Sequence, residues 1–186
     1  YSQDVTWVLD DWRIGQDLQV DPNFNTMHDL MHDGRWGNVV TVNGKLNEKL
    51  FVSPGERIRL RLVNTSNGRV YSPFFAGLKP IVIAVDGMYV KTPFALDKFK
   101  LAPGNRLDLD ITIPNSKDAF MVSDYFGRNV IPLGEIVSVG TTVVTPDFEY
   151  PHNDKVPEWN DVAILPIDKE YRLNARRKSG HGMRGG

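Results

Sequence analysis

The feature that most constrains the fold is a strand-forming segment that occurs twice. Residues 51–64, FVSPGERIRLRLVN, and residues 100–113, KLAPGNRLDLDITI, each contain Pro-Gly, an Arg two residues later, and then alternating apolar and polar side chains. Pro presets φ for a tight turn and Gly accepts positive φ, so each copy predicts a turn that leads into a strand. Because strand side chains alternate between faces, each strand is predicted to bury one face in an antiparallel sheet.

The rest of the chain up to residue 143 also favours strands. Turn residues separate about eight short apolar or alternating segments, and IVIAV at 81–85 is typical of a strand covered on both faces. The exception is NFNTMHDLMHDG at 23–34, which predicts about two helical turns with Asn25 or Thr26 as N-cap and Gly34 as the stop. This pattern predicts an all-β sandwich or barrel with Greek-key connections.

The composition of the chain changes near Thr145. The 186-residue chain continues with four prolines spread between residues 146 and 166 and a basic, glycine-rich end. We therefore predict a domain over 1–144, and over 145–186 an interdomain linker, partly extended, with the start of a following domain. On this interpretation the chain is a fragment of a longer protein.

Composition excludes several classes of function. The net charge is −1, from 22 basic and 23 acidic residues, so no nucleic-acid or membrane partner is expected. No apolar run approaches the roughly 20 residues that span a bilayer. The absence of cysteine excludes disulfides, thiol nucleophiles and thiolate metal sites.

Six motifs in order resemble one domain of a known family. The motifs are VLDDW (8–12), MHDLMHDGRWGN (27–38), VVTVNGK (39–45), LRLVNTSN (60–67), VIAVDG (82–87) and LAPGNRLDLDI (101–111). Together they resemble the middle, second domain of bacterial three-domain multicopper oxidases, laccase-like proteins built from cupredoxin domains. The resemblance implies a cupredoxin-like Greek-key β-sandwich with an extended C-terminal linker.

The resemblance also implies that copper lies elsewhere in the parent protein, in the third domain and between the first and third. The residues of this chain agree, since it has no Cys for a type 1 site and no His-x-His motif. The implied role is a non-catalytic scaffold, inactive alone, without catalytic, cofactor-binding or copper-ligand residues. Its implied partners are the first and third domains, with self-association when isolated. The implied parent is periplasmic or secreted and couples oxidation of phenols or metal ions to reduction of O₂ to water.

A metal-binding module is the alternative. His28 and His32 are four residues apart in HDLMH, a spacing that suits Zn²⁺ or Cu²⁺ if His152, His181 or another residue adds a third ligand. The simpler interpretation is a polar helix surface. The sequence also leaves open a weaker interpretation, a carbohydrate-binding sandwich that uses Trp36.

Two carboxylates on the second of the Pro-Gly strands, residues 100–113, are a further candidate site. Alternation places Asp108 and Asp110 together on the outward face of their strand, whereas a glycosidase needs two carboxylates across a cleft at a defined separation. The row of Arg57, Arg59 and Arg61 in the first strand is their predicted partner, which favours ion pairs over catalysis.

Overall fold

The computed structural model describes residues 1–31, 34–156 and 169–172. Contacts divide the chain into two compact units, Tyr1–Val156 and Pro157–Gly186. In the second unit the described residues include Glu170 and Arg172, whose carboxylate and guanidinium groups lie 3.4 Å apart. The predicted domain bounds, 1–144 and 145–186, stay predictions. The features below all belong to the first unit.

Ten strands and one short helix are present in the described part of the chain. Their bounds are β1 (Gln3–Trp12), α1 (Met27–Met31), β2 (Val39–Val42), β3 (Glu48–Val52), β4 (Arg57–Asn64), β5 (Pro73–Phe75), β6 (Ile81–Val85), β7 (Met88–Ala95), β8 (Arg106–Thr112), β9 (Ala119–Asp124) and β10 (Ile131–Ser138). One sheet has six strands in the order β2-β1-β4-β8-β6-β7, and the other has four in the order β3-β10-β9-β5.

Both sheets are mixed. Strand β1 pairs with β4 in parallel, and β10 pairs with β3 in parallel, whereas the remaining neighbours are antiparallel. Parallel strands need a crossover connection, and the chain between β1 and β4 passes through β3 of the other sheet. The predicted cupredoxin-like β-sandwich is therefore confirmed.

The two Pro-Gly strands are neighbours at the centre of the larger sheet. Strands β4 and β8 pair antiparallel with Leu60 opposite Leu109, so the alternating apolar residues of both strands face the same side. Gly55 and Gly104 have φ of 78° and 83°, as the turn prediction requires. A Cβ atom at residue 55 would also stand 2.2 Å from the carbonyl oxygen of Val143, so glycine is needed there for space as well.

The core lies between the facing sides of the two sheets. Trp7 is fully buried, whereas Trp12 at the end of the same strand is 42% exposed. Trp7 packs against Gly134, where an added Cβ would come within 3.1 Å of the indole. Further buried apolar side chains come from both sheets, among them Leu9, Ile58, Leu60, Leu107, Leu109, Ile111, Phe75, Phe120, Val122 and Ile136.

Candidate functional site

A buried ion pair anchors the long connection between β1 and β2. The Asp11 side chain is fully buried, and its Oδ2 accepts a hydrogen bond of 3.0 Å from Nε of Arg69, whose side chain is 10% exposed. Arg69 also donates to the carbonyl oxygen of Gly37 at 2.8 Å, and its guanidinium lies 4.8 Å from the ring centre of Trp36. One arginine thus joins the end of β1 to the end of the connection.

Helix α1 lies in this connection and attaches to the body through a carboxylate. The hydroxyl of Thr26 accepts a hydrogen bond from the backbone N–H of Asp29 at 3.2 Å, which confirms Thr26 as the N-cap. The buried Asp29 carboxylate accepts two hydrogen bonds from Arg13, at 2.6 and 3.0 Å, and lies 3.8 Å from Arg35. These hydrogen bonds from Arg13 hold the pKa of Asp29 below its ordinary value, although burial opposes the shift.

The opposite side of α1 is apolar and faces solvent. Met27, Leu30 and Met31 are 71%, 64% and 56% exposed, and the preceding Phe24 is 55% exposed. A surface helix usually turns its apolar side to the core and its charges to water. Helix α1 therefore departs from this rule, because its carboxylate faces the body of the protein and its apolar side chains face solvent.

The predicted metal ligands are only partly covered by the described structure. His28 lies exposed on α1, whereas His32 and His181 are outside the described residues. His152 lies in a loop, with Nδ1 3.1 Å from the carbonyl oxygen of Tyr150. Among the described residues no three His, Asp or Glu side chains group closely enough to hold a metal ion. The His28–His32 site stays a prediction.

The predicted pairing of carboxylates and arginines across β4 and β8 is confirmed. Arg57 binds Asp110 through Nε and Nη2, and Arg59 binds Asp108. Arg61 extends the ladder to Asp4 of β1, through bonds of 2.6 and 2.7 Å that hold the Asp4 pKa below its ordinary value.

The expectation that this polar face points outward to solvent needs correction. Asp108 and Asp110 are only 5% and 2% exposed. Strand β8 is central in its sheet, the Tyr1 hydroxyl donates to Asp110 at 2.7 Å, and the Phe148 ring stacks 3.3 Å from the Arg57 guanidinium. The carboxylates are therefore committed to buried ion pairs rather than available to a substrate.

An apolar cleft at the edge of the smaller sheet is the site that sequence reasoning missed. Phe74 of β5 and Tyr125 beyond β9 are each about half exposed, and their ring centres lie 4.9 Å apart. The cleft beside them has a volume of about 470 Å³, within the range of ligand pockets. Its other lining residues are Ser72, Pro73, Phe75, Leu78, Pro80, Leu96, Asp97 and Lys98. The only sequence signal was the adjacent Phe74-Phe75 pair, of which Phe75 is buried in the core.

Within the described residues, no helix has the length and apolar character needed to cross a membrane.

Comparison with known proteins identifies the family. The family model described as multicopper oxidase matches residues 3–144. The chain is similar to cell division protein FtsP of Dickeya dadantii, with 34% identity over 91 residues, which is 48% of this chain and 19% of that protein. It is also similar to copper resistance protein A of Escherichia coli, with 41% identity over 56 residues, or 30% of this chain and 9% of that protein.

Solved structures agree on the fold. The multicopper oxidase of Pseudomonas thermotolerans superposes with a TM-score of 0.74 at 24% identity, covering 85% of this chain and 38% of that one. The chain spans about a fifth of the length of the first curated relative and less than two-fifths of this solved structure.

The donor atoms of the chain do not fit the copper centres of such a protein. A type 1 site needs a cysteine thiolate with two histidines, and this chain has no cysteine and four histidines in all. What it shares with these proteins is the sandwich and its sequence motifs across residues 3–144. On that match, the chain belongs to the multicopper oxidase family.

Proposed function

We propose that this chain is the structural middle domain of a larger multicopper oxidase and spaces the first and third domains of its parent. The observation that carries the proposal is a match to the family over residues 3–144 in a chain without a cysteine for type 1 copper. The share of each relative that the chain covers, 19% and 38%, supports further domains in the parent.

The activity of the parent follows from the same proposal. It would couple oxidation of phenols or metal ions to reduction of O₂ to water, with copper bound by domains other than this one. One relative is named copper resistance protein A, and we propose metal ions as one substrate class of the parent. We further propose that the parent works in the periplasm or outside the cell.

One surface suits contact with a neighbouring domain. The cleft beside Phe74 and Tyr125 offers an apolar depression with two half-exposed aromatic rings. Aromatic side chains are enriched in protein interfaces because they bury much apolar area with little loss of conformational freedom. We propose this cleft as a contact between domains of the parent.

Copper loading tests the proposal. The purified chain is incubated with Cu²⁺, desalted, and assayed for O₂ consumption with 2,6-dimethoxyphenol. We expect no turnover beyond that of free Cu²⁺ at the same concentration. Laccase-like turnover by the chain would overturn the scaffold role.

The alternative, a mononuclear site at His28 and His32, is tested in the same preparation. Zn²⁺ and Cu²⁺ content after desalting is measured for the chain and for His28→Ala. One tightly held ion per chain that is lost in His28→Ala would establish the alternative. If both proteins instead hold the same metal content, well below one ion per chain, the alternative is contradicted and the scaffold role remains the proposal.

A further inference from the structure

The sequence contains two Asn-Gly pairs, and the fold holds the first of them rigidly. Asn43 and Gly44 have φ of 52° and 75°, the two left-handed angles of a type I′ turn, and backbone hydrogen bonds of 2.8 and 2.9 Å close that turn. The Asn43 side chain is fixed through both of its polar atoms. Its Oδ1 accepts a hydrogen bond from the backbone N–H of Val8 at 2.9 Å, and its Nδ2 donates to the carbonyl oxygen of Thr6 at 3.2 Å.

The second pair, Asn67-Gly68, lies in the loop that follows β4 and is not held in this way. Asn67 is exposed. Among the described residues, neither its side-chain amide nor the backbone N–H of Gly68 has a hydrogen-bond partner. Neither residue takes the left-handed φ that characterises the first pair. The amide of Asn67 and the backbone nitrogen of Gly68 are therefore free to approach each other.

We propose that Asn67 is a site of spontaneous deamidation in the folded protein, whereas Asn43 is protected. The backbone nitrogen of Gly68 attacks Cγ of Asn67, so that a Cγ–N bond forms while the Cγ–Nδ2 bond breaks. The attacking nitrogen gives up its proton, and ammonia leaves. Water then opens the cyclic imide at either carbonyl carbon, which yields aspartate or isoaspartate without any oxidation or reduction. Glycine suits the attacking position, because it has no side chain to obstruct the approach or to restrict the backbone.

The reaction would occur beside the connection between β1 and β2. A Cβ atom on Gly34 of this connection would lie 3.3 Å from Cα of Gly68 and 3.7 Å from the carbonyl oxygen of Asn67. Arg69, which holds the end of the connection through Asp11 and a backbone carbonyl, follows two positions later. Either product adds a negative charge here, and isoaspartate also lengthens the main chain by one methylene group. The reaction does not depend on the scaffold role, since it needs only the folded loop and water.

Peptide mapping of the full chain tests the proposal. The protein is aged in mildly alkaline buffer at physiological temperature, digested with trypsin and analysed by mass spectrometry. Cleavage after Arg and Lys separates the two sites, because residues 62–69 carry Asn67 and residues 36–45 carry Asn43. Fragment spectra identify the residue that changes. We expect conversion of amide to carboxyl at Asn67 at least about tenfold faster than at Asn43, because both hydrogen bonds that hold the Asn43 side chain must break before it can react.

Unfolding is the matched control, because both sites are the same dipeptide. In concentrated urea the two peptides should react at similar rates. Asn67→Gln, whose longer side chain would have to close a larger ring, should abolish the change in residues 62–69 and leave residues 36–45 as before. Equal rates at the two sites in the folded chain, or reaction at Asn67 only after unfolding, would overturn the proposal. A difference that persists in urea would also overturn it, because neighbouring sequence and not the fold would then protect Asn43.

Discussion

At the residue scale, Leu18 has a backbone conformation that suits another side chain. Its φ is 61°, in the left-handed region, and its side chain is 81% exposed. The left-handed conformation costs most L-residues about 1–2 kcal/mol, whereas Asn tolerates it. We expect Leu18→Asn to raise the free energy of unfolding by about 1 kcal/mol, measured by urea denaturation.

Leu46→Asn is the matched control, because Leu46 is 70% exposed and its φ lies outside the left-handed region. Leu46→Asn should therefore leave the free energy of unfolding unchanged. Equal stabilisation in both variants would show that removing an exposed leucine matters and the backbone angle does not.

Loss of Arg69 should destabilise the sandwich strongly, because its partner carboxylate is buried. It pairs with the fully buried Asp11 carboxylate, which also has one oxygen, Oδ1, without a partner in the described structure. Arg69→Met would leave that charge buried and unpaired, at a cost of about 3–5 kcal/mol. Urea denaturation followed by tryptophan fluorescence measures the loss.

The comparison variant is Arg61→Met, which breaks a pair with Asp4 whose side chains are 39% and 43% exposed. Exposed pairs contribute about 0–1 kcal/mol, so this variant should lose far less. If Arg69→Met and Arg61→Met lose similar free energies of unfolding, burial does not set how much each ion pair contributes.

At the scale of elements, Glu56 fastens the first Pro-Gly turn to the N-terminal strand. Its carboxylate accepts hydrogen bonds from the Ser2 hydroxyl at 2.6 Å, the Gln3 amide at 2.9 Å and the Ser53 backbone N–H. Burial alone would raise the pKa of Glu56, but these hydrogen bonds outweigh it and hold the pKa below the ordinary value of 4.5. The stabilisation is thus complete above pH 4.5 and is lost as the pH falls through the lowered pKa.

Glu56→Gln should therefore reduce stability at pH 7 by about 1–2 kcal/mol, with the difference from the unaltered chain shrinking in acid. Urea midpoints measured from pH 7 down to about pH 3 test this. Glu149→Gln, at an exposed carboxylate, is the control and should track the unaltered protein. A Glu56→Gln difference that stays constant with pH would contradict the charge-dependent account.

The segment after β10 packs on the sandwich, and this can be tested by truncation. The Thr145 hydroxyl donates to the Gly55 carbonyl oxygen, Phe148 stacks on Arg57, and the Asn153 N–H donates to Val90 at 3.0 Å. A chain ending at residue 144 should melt about 4–8 °C below one ending at residue 156, since about 2 kcal/mol of contacts is lost.

Equal melting temperatures would show that these contacts add nothing and would favour the predicted domain boundary at 144. A chain 1–144 that fails to fold would place the boundary further along.

The sequence predicted the strands that have both a turn signal and clean alternation. Strands β4, β6 and β8 were predicted within a few residues, because their apolar positions recur at the period of a strand. Strand β3 was missed. Its alternation places Leu50 and Val52 inward, but Phe51 between them is 60% exposed, and an apolar residue on the outer face hides the period.

At the scale of the whole molecule, features that depend on tertiary contacts escaped prediction. The sequence predicted a polar surface for this helix, and the burial of Asp29 depends on its ion pairs with Arg35 and with Arg13, which lies 16 residues away. The cleft at Phe74 and Tyr125 likewise joins residues 51 positions apart. Such features follow from which strands become neighbours, which local periodicity does not specify.

Self-association is the prediction that belongs to the whole molecule. The Phe74–Tyr125 surface is apolar and half exposed, and such patches usually become covered. We expect sedimentation velocity over about a hundredfold range of concentration to show reversible growth beyond the monomer, and Phe74→Ser/Tyr125→Ser to remove it. Met27→Ser/Leu30→Ser is the control, because it reduces exposed apolar area on α1 instead. Loss of association in the control alone would move the interface to α1, and a monomer at every concentration would show that the isolated domain is stable without a covered cleft.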